Sequence, residues 1–225
     1  MANTLQHTRT RYPGLVNPNL VTSYIPARDD LVCWYQANKE IGYSDGGAIT
    51  QITDWSGNGY HMTGTGTYVV SGATKLIDSD DFQNTTRPAT GNSPISFAVF
   101  GDTYNNGGTL FGVGGANNTK HSMNICSNQL FCWGYDPTFT SMGTSAPWYL
   151  ITVVYNGTDI KIYKDTTLHT TLSQGSFNIT GGAYMFRWFW NDRQSTLRMR
   201  FAGVWNKALT ATEITNLSSF VIGNC

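Results

Sequence analysis

Glycoside hydrolysis needs two separated carboxyl groups, one acting as acid and the other as nucleophile or base. This chain holds only two glutamates, Glu40 and Glu213. Glu213 sits where a helix should begin, and Glu40 falls in a loop beside Lys39. Asp80 and Asp81 are neighbours, so on a strand they would point to opposite faces. Asp78, Asp80 and Asp81 together form the densest acidic cluster and read as a solvated loop. The histidines His7, His61, His121 and His169 are far apart and lie in no nucleophile or metal motif. No catalytic constellation emerges, and the chain is expected not to be an enzyme.

Sugar recognition asks for different residues: an exposed aromatic platform with polar neighbours. Two clusters offer this, Trp133-Gly134-Tyr135-Asp136 and Trp190-Asn191-Asp192-Arg193, each where a strand enters a loop. Aromatic rings at strand ends also cap cores, and both readings stand. Asp54-Trp55-Ser56-Gly57-Asn58-Gly59 is a turn whose residues tolerate unusual backbone angles. Asp54 can close that turn by accepting backbone N–H bonds. The four cysteines, Cys33, Cys126, Cys132 and Cys225, show no metal-ligand spacing and no Cys-x-x-Cys. They read as free thiols; a bridge across Cys126 and Cys132, or between Cys33 and Cys225 if first and last strands pair, is the alternative.

The elements that must position these residues are mostly strands. Charged residues make up 12% of the 225 positions and aromatics 13%, with a net charge of zero. That charged share is about half the usual one. The zero net charge and lack of a basic stripe argue against nucleic acid, and no apolar run reaches membrane-spanning length. Met1 to Val16 shows no apolar signal-peptide core. Residues 1–28 carry Arg9, Arg11 and Arg28 with Pro13, Pro18 and Pro26, but no acidic residue and no apolar period. They read as an extended N-terminal arm. Residues 29–225 read as one β-domain.

Within it, short strands are expected at Leu31–Gln36, Tyr60–Met62, Thr67–Ser71, Ile95–Gly101, Thr109–Val113, Thr167–Leu172 and Ala183–Trp190. A hairpin joins His121–Cys126 to Gln129–Trp133. A second runs from Trp148 to Tyr163 around Asn156-Gly157, the favoured pair for a type I′ turn. One helix stands out. Thr210 is an N-cap and Glu213 its capping-box partner, with Leu209 and Ile214 as a hydrophobic staple, directly after the apolar strand Met199–Trp205.

The ordered set of features resembles the concanavalin A-like lectin/glucanase superfamily, in its laminin-G-like and pentraxin-like branch. The set is Leu31-Val32-Cys33-Trp34-Tyr35, the Asp54–Gly59 turn, Ser96–Phe100, Gly108–Gly112, Trp148–Val153, Lys161–Asp165 and Phe201–Thr210 with Glu213-Ile214. The resemblance covers about residues 30–225 and implies an all-β, two-sheet antiparallel jelly-roll sandwich with one short C-terminal helix. Glycanases of that superfamily carry Glu-x-Asp-x-x-Glu on one strand, a pattern this chain lacks. Relatives often have Asp-Gly where this chain has Asp165-Thr166, so another turn type is expected here. Several relatives hold calcium in loops, which makes Asp54 and Asn58 calcium candidates beside their structural role; otherwise no cofactor or metal is expected.

A leaderless, low-charge sandwich with an extended arm is similar to bacteriophage virion proteins of this fold. The resemblance implies a head-decoration or fibre-type surface protein. The arm would anchor to other virion proteins, the sandwich would project outward toward host-surface glycan, and the copies would form a homo-oligomer, a trimer for instance. The alternatives are a free lectin or adhesin and, last, a glycan hydrolase.

Overall fold

The computed structural model describes residues 25–71, 74–103, 109–114, 122–126, 130–131, 148–173, 175–185 and 197–225. Among the described residues thirteen strands form one continuous antiparallel network folded into two layers. The first layer, in spatial order, is β11 (Thr167–Ser173), β10 (Asp159–Lys164), β9 (Tyr149–Tyr155), β5 (Ile95–Thr103), β13 (Leu197–Trp205) and β1 (Leu31–Gln36). The second is β2 (Gly47–Ile52), β3 (Met62–Ser71), β4 (Thr74–Asn84), β12 (Ala183–Met185), β6 (Thr109–Val113), β7 (Met123–Cys126) and β8 (Leu130–Phe131). The layers join where Leu197–Met199 of β13 pairs with Ile77–Ser79 of β4. The chain is an all-β sandwich with one C-terminal helix, α1 (Ala211–Asn224).

Strand alternation builds two cores. Ile95, Phe97 and Val99 of β5, with Ile151, Val153 and Tyr155 of β9, face the second layer. Their neighbours Ala98, Phe100, Leu150 and Val154 face the other way, onto α1. The first layer is therefore covered on both sides, which explains the near-continuous apolar runs in β5 and β9. α1 closes the outer core with Ile214, Leu217, Phe220 and Val221, spaced for one helical face. Each such fully buried side chain contributes about 1.5–3 kcal/mol.

The capping box is present: the Thr210 hydroxyl accepts from the Glu213 N–H at 3.3 Å, and the Glu213 carboxylate accepts from the Thr210 N–H at 2.8 Å. Ser96 splices the entry to α1 onto β5, donating to the Lys207 carbonyl at 2.7 Å and accepting from the Leu209 N–H at 2.9 Å. Gly203 leaves room for the buried Trp205 indole, because a Cβ there would stand 2.8 Å from the ring.

Several local expectations need correction. The Asn156-Gly157 turn is not type I′, since only Gly157 has positive φ, at 107°. Asn156 instead accepts from the N–H groups of Thr158 and Asp159 through its own amide oxygen, at 2.9 and 2.7 Å, and that side chain shapes the turn. At Asp165-Thr166 the Asp takes the positive φ, 54°, and its carboxylate holds the Leu150 N–H at 3.0 Å. The acidic run Asp78–Asp81 is not a loop but part of β4. Tyr60–Met62 and Thr67–Ser71 are not two strands; Met62–Ser71 is one, with Gly64 and Gly66 inside it interrupting the apolar pattern. β1 does pair with β13, yet Cys33 and Cys225 are both free. Cys33 faces the inner core while Cys225 packs against the outer one. Burial pushes both thiols up to about 12, so neither is a reactive thiolate.

Candidate functional site

The turn after β2 is built around one carboxylate. Asp54 Oδ1 accepts from the Trp34 N–H at 3.0 Å and the Ser56 N–H at 2.9 Å. Oδ2 accepts from the Ser56 hydroxyl and the Tyr60 N–H, both at 2.9 Å. Gly57 and Gly59, at φ 92° and 80°, supply the left-handed residues that let the chain curl round the acid. Asn58 then pins the turn to β1, its amide donating to the carbonyls of Leu31 at 3.1 Å and Val32 at 2.8 Å. With both oxygens of Asp54 hydrogen-bonded to protein, its geometry is that of a turn closer. Among the described residues no group of three His, Cys, Asp or Glu side chains could hold a metal ion.

A second loop faces this turn. Ala27, at φ 50°, reverses the chain into a single 3-10 turn, Arg28–Asp30. Ile25 is buried in the outer core, and the Trp205 indole N–H donates to the Pro26 carbonyl at 3.0 Å. The Asn206 N–H donates to the Asp30 carbonyl at 2.9 Å. Lys207 ties the loop to the helix, with its ammonium 3.6 Å from Asp30 and 2.9 Å from Glu213. Hydrogen bonding to Glu213 raises the Lys207 pKa above its usual range. Burial would raise the Glu213 carboxyl, but the Thr210 N–H and Lys207 outweigh it and the group lies below its usual range.

Between the two loops lies an open cleft of about 420 Å³. It is lined by Leu31 and Val32 at the start of β1, by Asp29, Asp30 and Asn206, by Asn58 and Tyr60, and by Pro88. Pro88 is held by Arg87, a buried side chain whose guanidinium donates to the carbonyls of Gly182 at 2.7 Å and Thr180 at 2.8 Å. Asp29, Asn58 and Asn206 are exposed, and Tyr60 is half-buried. The cleft thus offers carboxylate and amide groups beside one aromatic ring, the chemistry that binds sugar hydroxyls and a sugar's apolar face.

Trp133, Tyr135, Asp136, Trp190, Asp192 and Arg193 lie outside the described residues. The strands that lead to the two clusters, β8 and β12, run in opposite directions, separated by β6 and β7. Asp54 and Asn58 do come together, in the turn above. Thr210 and Glu213 cap α1, and Glu213 reaches the cleft's rim only through Lys207. Glu40 is no loop acid in solvent: it is buried and accepts from the Thr53 N–H at 2.7 Å and hydroxyl at 3.0 Å. Burial raises its pKa against the pull of those bonds. Sequence reasoning missed Asp29, Asp30, Tyr60 and Asn206 as a group, because they converge only through the pairing of β1 with β13. The available signal was the Asp29-Asp30 pair directly after a basic, proline-rich arm.

No family model matches the chain, and no curated protein does. Solved structures do share its fold. Domain 4 of an extracellular arabinanase from Geobacillus stearothermophilus, in complex with arabinotriose, aligns with a TM-score of 0.60 at 14% identity over 84% of this chain and 98% of that one. The binding domain of Paraclostridial Mosquitocidal Protein 1 aligns at 0.61 and 13% identity, over 85% of this chain and 52% of that one. The binding domain of Botulinum neurotoxin DC, in complex with rat synaptotagmin II, aligns at 0.60 and 16%, over 86% and 52%. The chain spans about half the length of these toxin domains. The shared property is a β-sandwich; the likeness is one of fold.

Proposed function

We propose that this chain is a non-enzymatic glycan-binding sandwich displayed on a bacteriophage virion. Its N-terminal arm holds it to the particle, and the cleft at Asp29, Asn58, Tyr60 and Asn206 meets host-surface sugar. The observation that carries the binding role is the cleft: an aromatic ring beside exposed carboxylate and amide groups at the start of β1. The arabinanase domain, whose structure holds arabinotriose, supports the reading by fold. The two glutamates support a non-catalytic reading, since Glu40 serves Thr53 and Glu213 serves the helix cap. The virion setting rests on the sequence, namely the basic, proline-broken arm and its resemblance to virion proteins of the concanavalin A-like superfamily. The packing of Ile25 and Pro26 on the outer core supports the arm as a strap leaving the helix-covered side.

Two measurements test this. A glycan array with the full chain should give sugar binding that Tyr60→Ala weakens at least tenfold while the variant, though it melts earlier for want of the ring's packing on the inner core, is still folded at the assay temperature. Deleting residues 1–24 should abolish attachment to particles and leave both melting and glycan binding intact. A chain that attaches without its arm, yet binds sugar through the cleft, is the free lectin or adhesin instead. A chain that binds no glycan loses the cleft reading altogether.

A further inference from the structure

Arg200 lies about six residues along β13 from the cleft, roughly 20 Å at strand spacing. The ladder between β13 and β5 slips between Met199 and Phe201, so Arg200 is the extra residue of a β-bulge. Met199 faces the inner core and Phe201 the outer one. The bulge turns Arg200 onto the outer face, where its guanidinium carbon sits 4.3 Å from the Trp148 ring centre and 5.8 Å from that of Phe100. Phe100 and Trp148 also pack on each other, with centroids 5.8 Å apart.

Stacking fixes the plane of the guanidinium but gives none of its five N–H groups an acceptor. Among the described residues nothing accepts a hydrogen bond from Arg200 and no carboxylate pairs with it, and its Nε is sealed from solvent. The remaining N–H groups belong to a half-buried head whose pKa is lowered by desolvation and raised in part by Cys225. The planar fork lies over the indole ring with Nε sealed and the rest of the side chain half-buried, and such a fork matches a carboxylate in geometry and charge. Trp148 is itself only partly covered, so indole surface remains for the apolar face of a ring. The zero net charge of the chain disfavours a polyanion such as nucleic acid. One cation beside one aromatic platform suits a single acid group on a sugar.

We propose that Trp148 and Arg200 form a second binding position, separate from the cleft, for a carboxylate-bearing sugar such as a sialic or uronic acid. The ring lies on Trp148 and the carboxylate takes the free edge of Arg200.

The test is titration of the full chain with sialyllactose, trigalacturonate and lactose, followed by tryptophan fluorescence and by saturation-transfer NMR. At least one acidic sugar should bind, and at least tenfold more tightly than lactose. Trp148→Ala and Arg200→Gln should each weaken that binding tenfold or more, while Tyr60→Ala in the cleft leaves it unchanged. Should Arg200→Gln fail to fold, Arg200→Lys keeps the charge but not the planar fork, and should weaken acidic-sugar binding at an unchanged melting temperature. The proposal falls if neither acidic sugar binds at about 10 mM. It also falls if lactose binds equally well, or if the Arg200 variants bind as the parent does. Loss of neutral-glycan binding in Tyr60→Ala with acidic-sugar binding intact separates this position from the cleft, and so does loss of acidic-sugar binding in Arg200→Gln with neutral-glycan binding intact; loss of acidic-sugar binding in Tyr60→Ala overturns the proposal.

Discussion

Two acidic turns flank the first strand, and they use their carboxylates in opposite ways. At Asp54 both oxygens are saturated by four donors from Trp34, Ser56 and Tyr60. The acid lies inside its turn, and only 5% of its surface is exposed. At Asp29-Asp30 the polypeptide turn closes through its own backbone, from the Asp30 N–H to the Ala27 carbonyl at 3.0 Å, and the carboxylates border an open cleft. Residue type is the same in both places; position separates them, since Asp54 is enclosed by its donors while Asp29 and Asp30, the latter paired with Lys207, stand at the lining of a cleft. An acid enclosed in its own turn builds structure, and one at a cleft can also meet a ligand.

The sharpest break in that comparison is Asp54→Ala. It strands three backbone N–H groups and a hydroxyl, each worth about 1–3 kcal/mol when left without an acceptor. Solvent entry will satisfy some of them, so a net loss of about 3 kcal/mol and a melting temperature lower by roughly 6–12 °C are expected. Asp54→Asn should fall between, because its amide oxygen can still serve one pair of donors while its NH₂ opposes the other. Thermal unfolding by circular dichroism measures both. A melt within about 2 °C of the parent for Asp54→Ala would mean that the two turns do not differ as argued.

A smaller effect tests what ties the open turn to the fold. Lys207 bridges Asp30 to Glu213, so the helix cap and the cleft wall share one ammonium. Glu213→Gln should cost about 1 kcal/mol at neutral pH, through the cap and the lost charge. The folded carboxyl lies below its ordinary value of 4.5. Its ionised form therefore stabilises the fold above that value, and the benefit is lost as pH falls through the folded pKa. The gap between parent and Glu213→Gln should be full at pH 7 and closed well below pH 4.5. Denaturant melts at both pH values give the answer, and a gap that persists in acid would assign the effect to packing rather than charge.

These cases also mark where the sequence was legible. α1 could be located from Thr210, Glu213 and the staple because capping is local chemistry, confined to one turn of chain. β9 and β10 could be located because Asn156-Gly157 marks a turn between an apolar run and a strand in which Ile160 and Ile162 alternate with polar residues. β4 was hidden, since Asp78, Asp80 and Asp81 are poor strand formers and only pairing with β3 and β13 keeps them extended. β2, as Gly47–Ile52, has buried side chains only at Ile49 and Ile52, a spacing that no period-two pattern reveals. The Asp54 turn was visible as a turn, but its four donors were not, because Trp34 lies twenty positions away. The cleft was the least legible of all. Its lining comes from residues 29–32, 58, 60, 88 and 206, which share no motif and meet only when β1 lies against β13. The bulge that aims Arg200 at Trp148 is likewise a property of the β13–β5 ladder and leaves no mark in the chain itself.

The smallest effect on folding belongs to Asp29→Asn, and it carries the comparison's functional half. Asp29 is exposed, and Asn keeps its shape. Exposed charge interactions contribute about 0–1 kcal/mol, so the change costs at most about 1 kcal/mol of stability. Removing the charge nonetheless weakens every hydrogen bond a sugar hydroxyl donates to it, because charge-assisted bonds contribute about 1.5–3 kcal/mol against about 1 for neutral ones. A melt within about 4 °C of the parent, together with glycan binding weakened severalfold to tenfold, is therefore expected, read by calorimetric titration with the glycan an array identifies. A variant that melts early would place Asp29 beside Asp54 among the builders. A variant that both melts and binds as the parent does would leave the cleft wall without a role in recognition, and the contrast between the two turns would then end at structure.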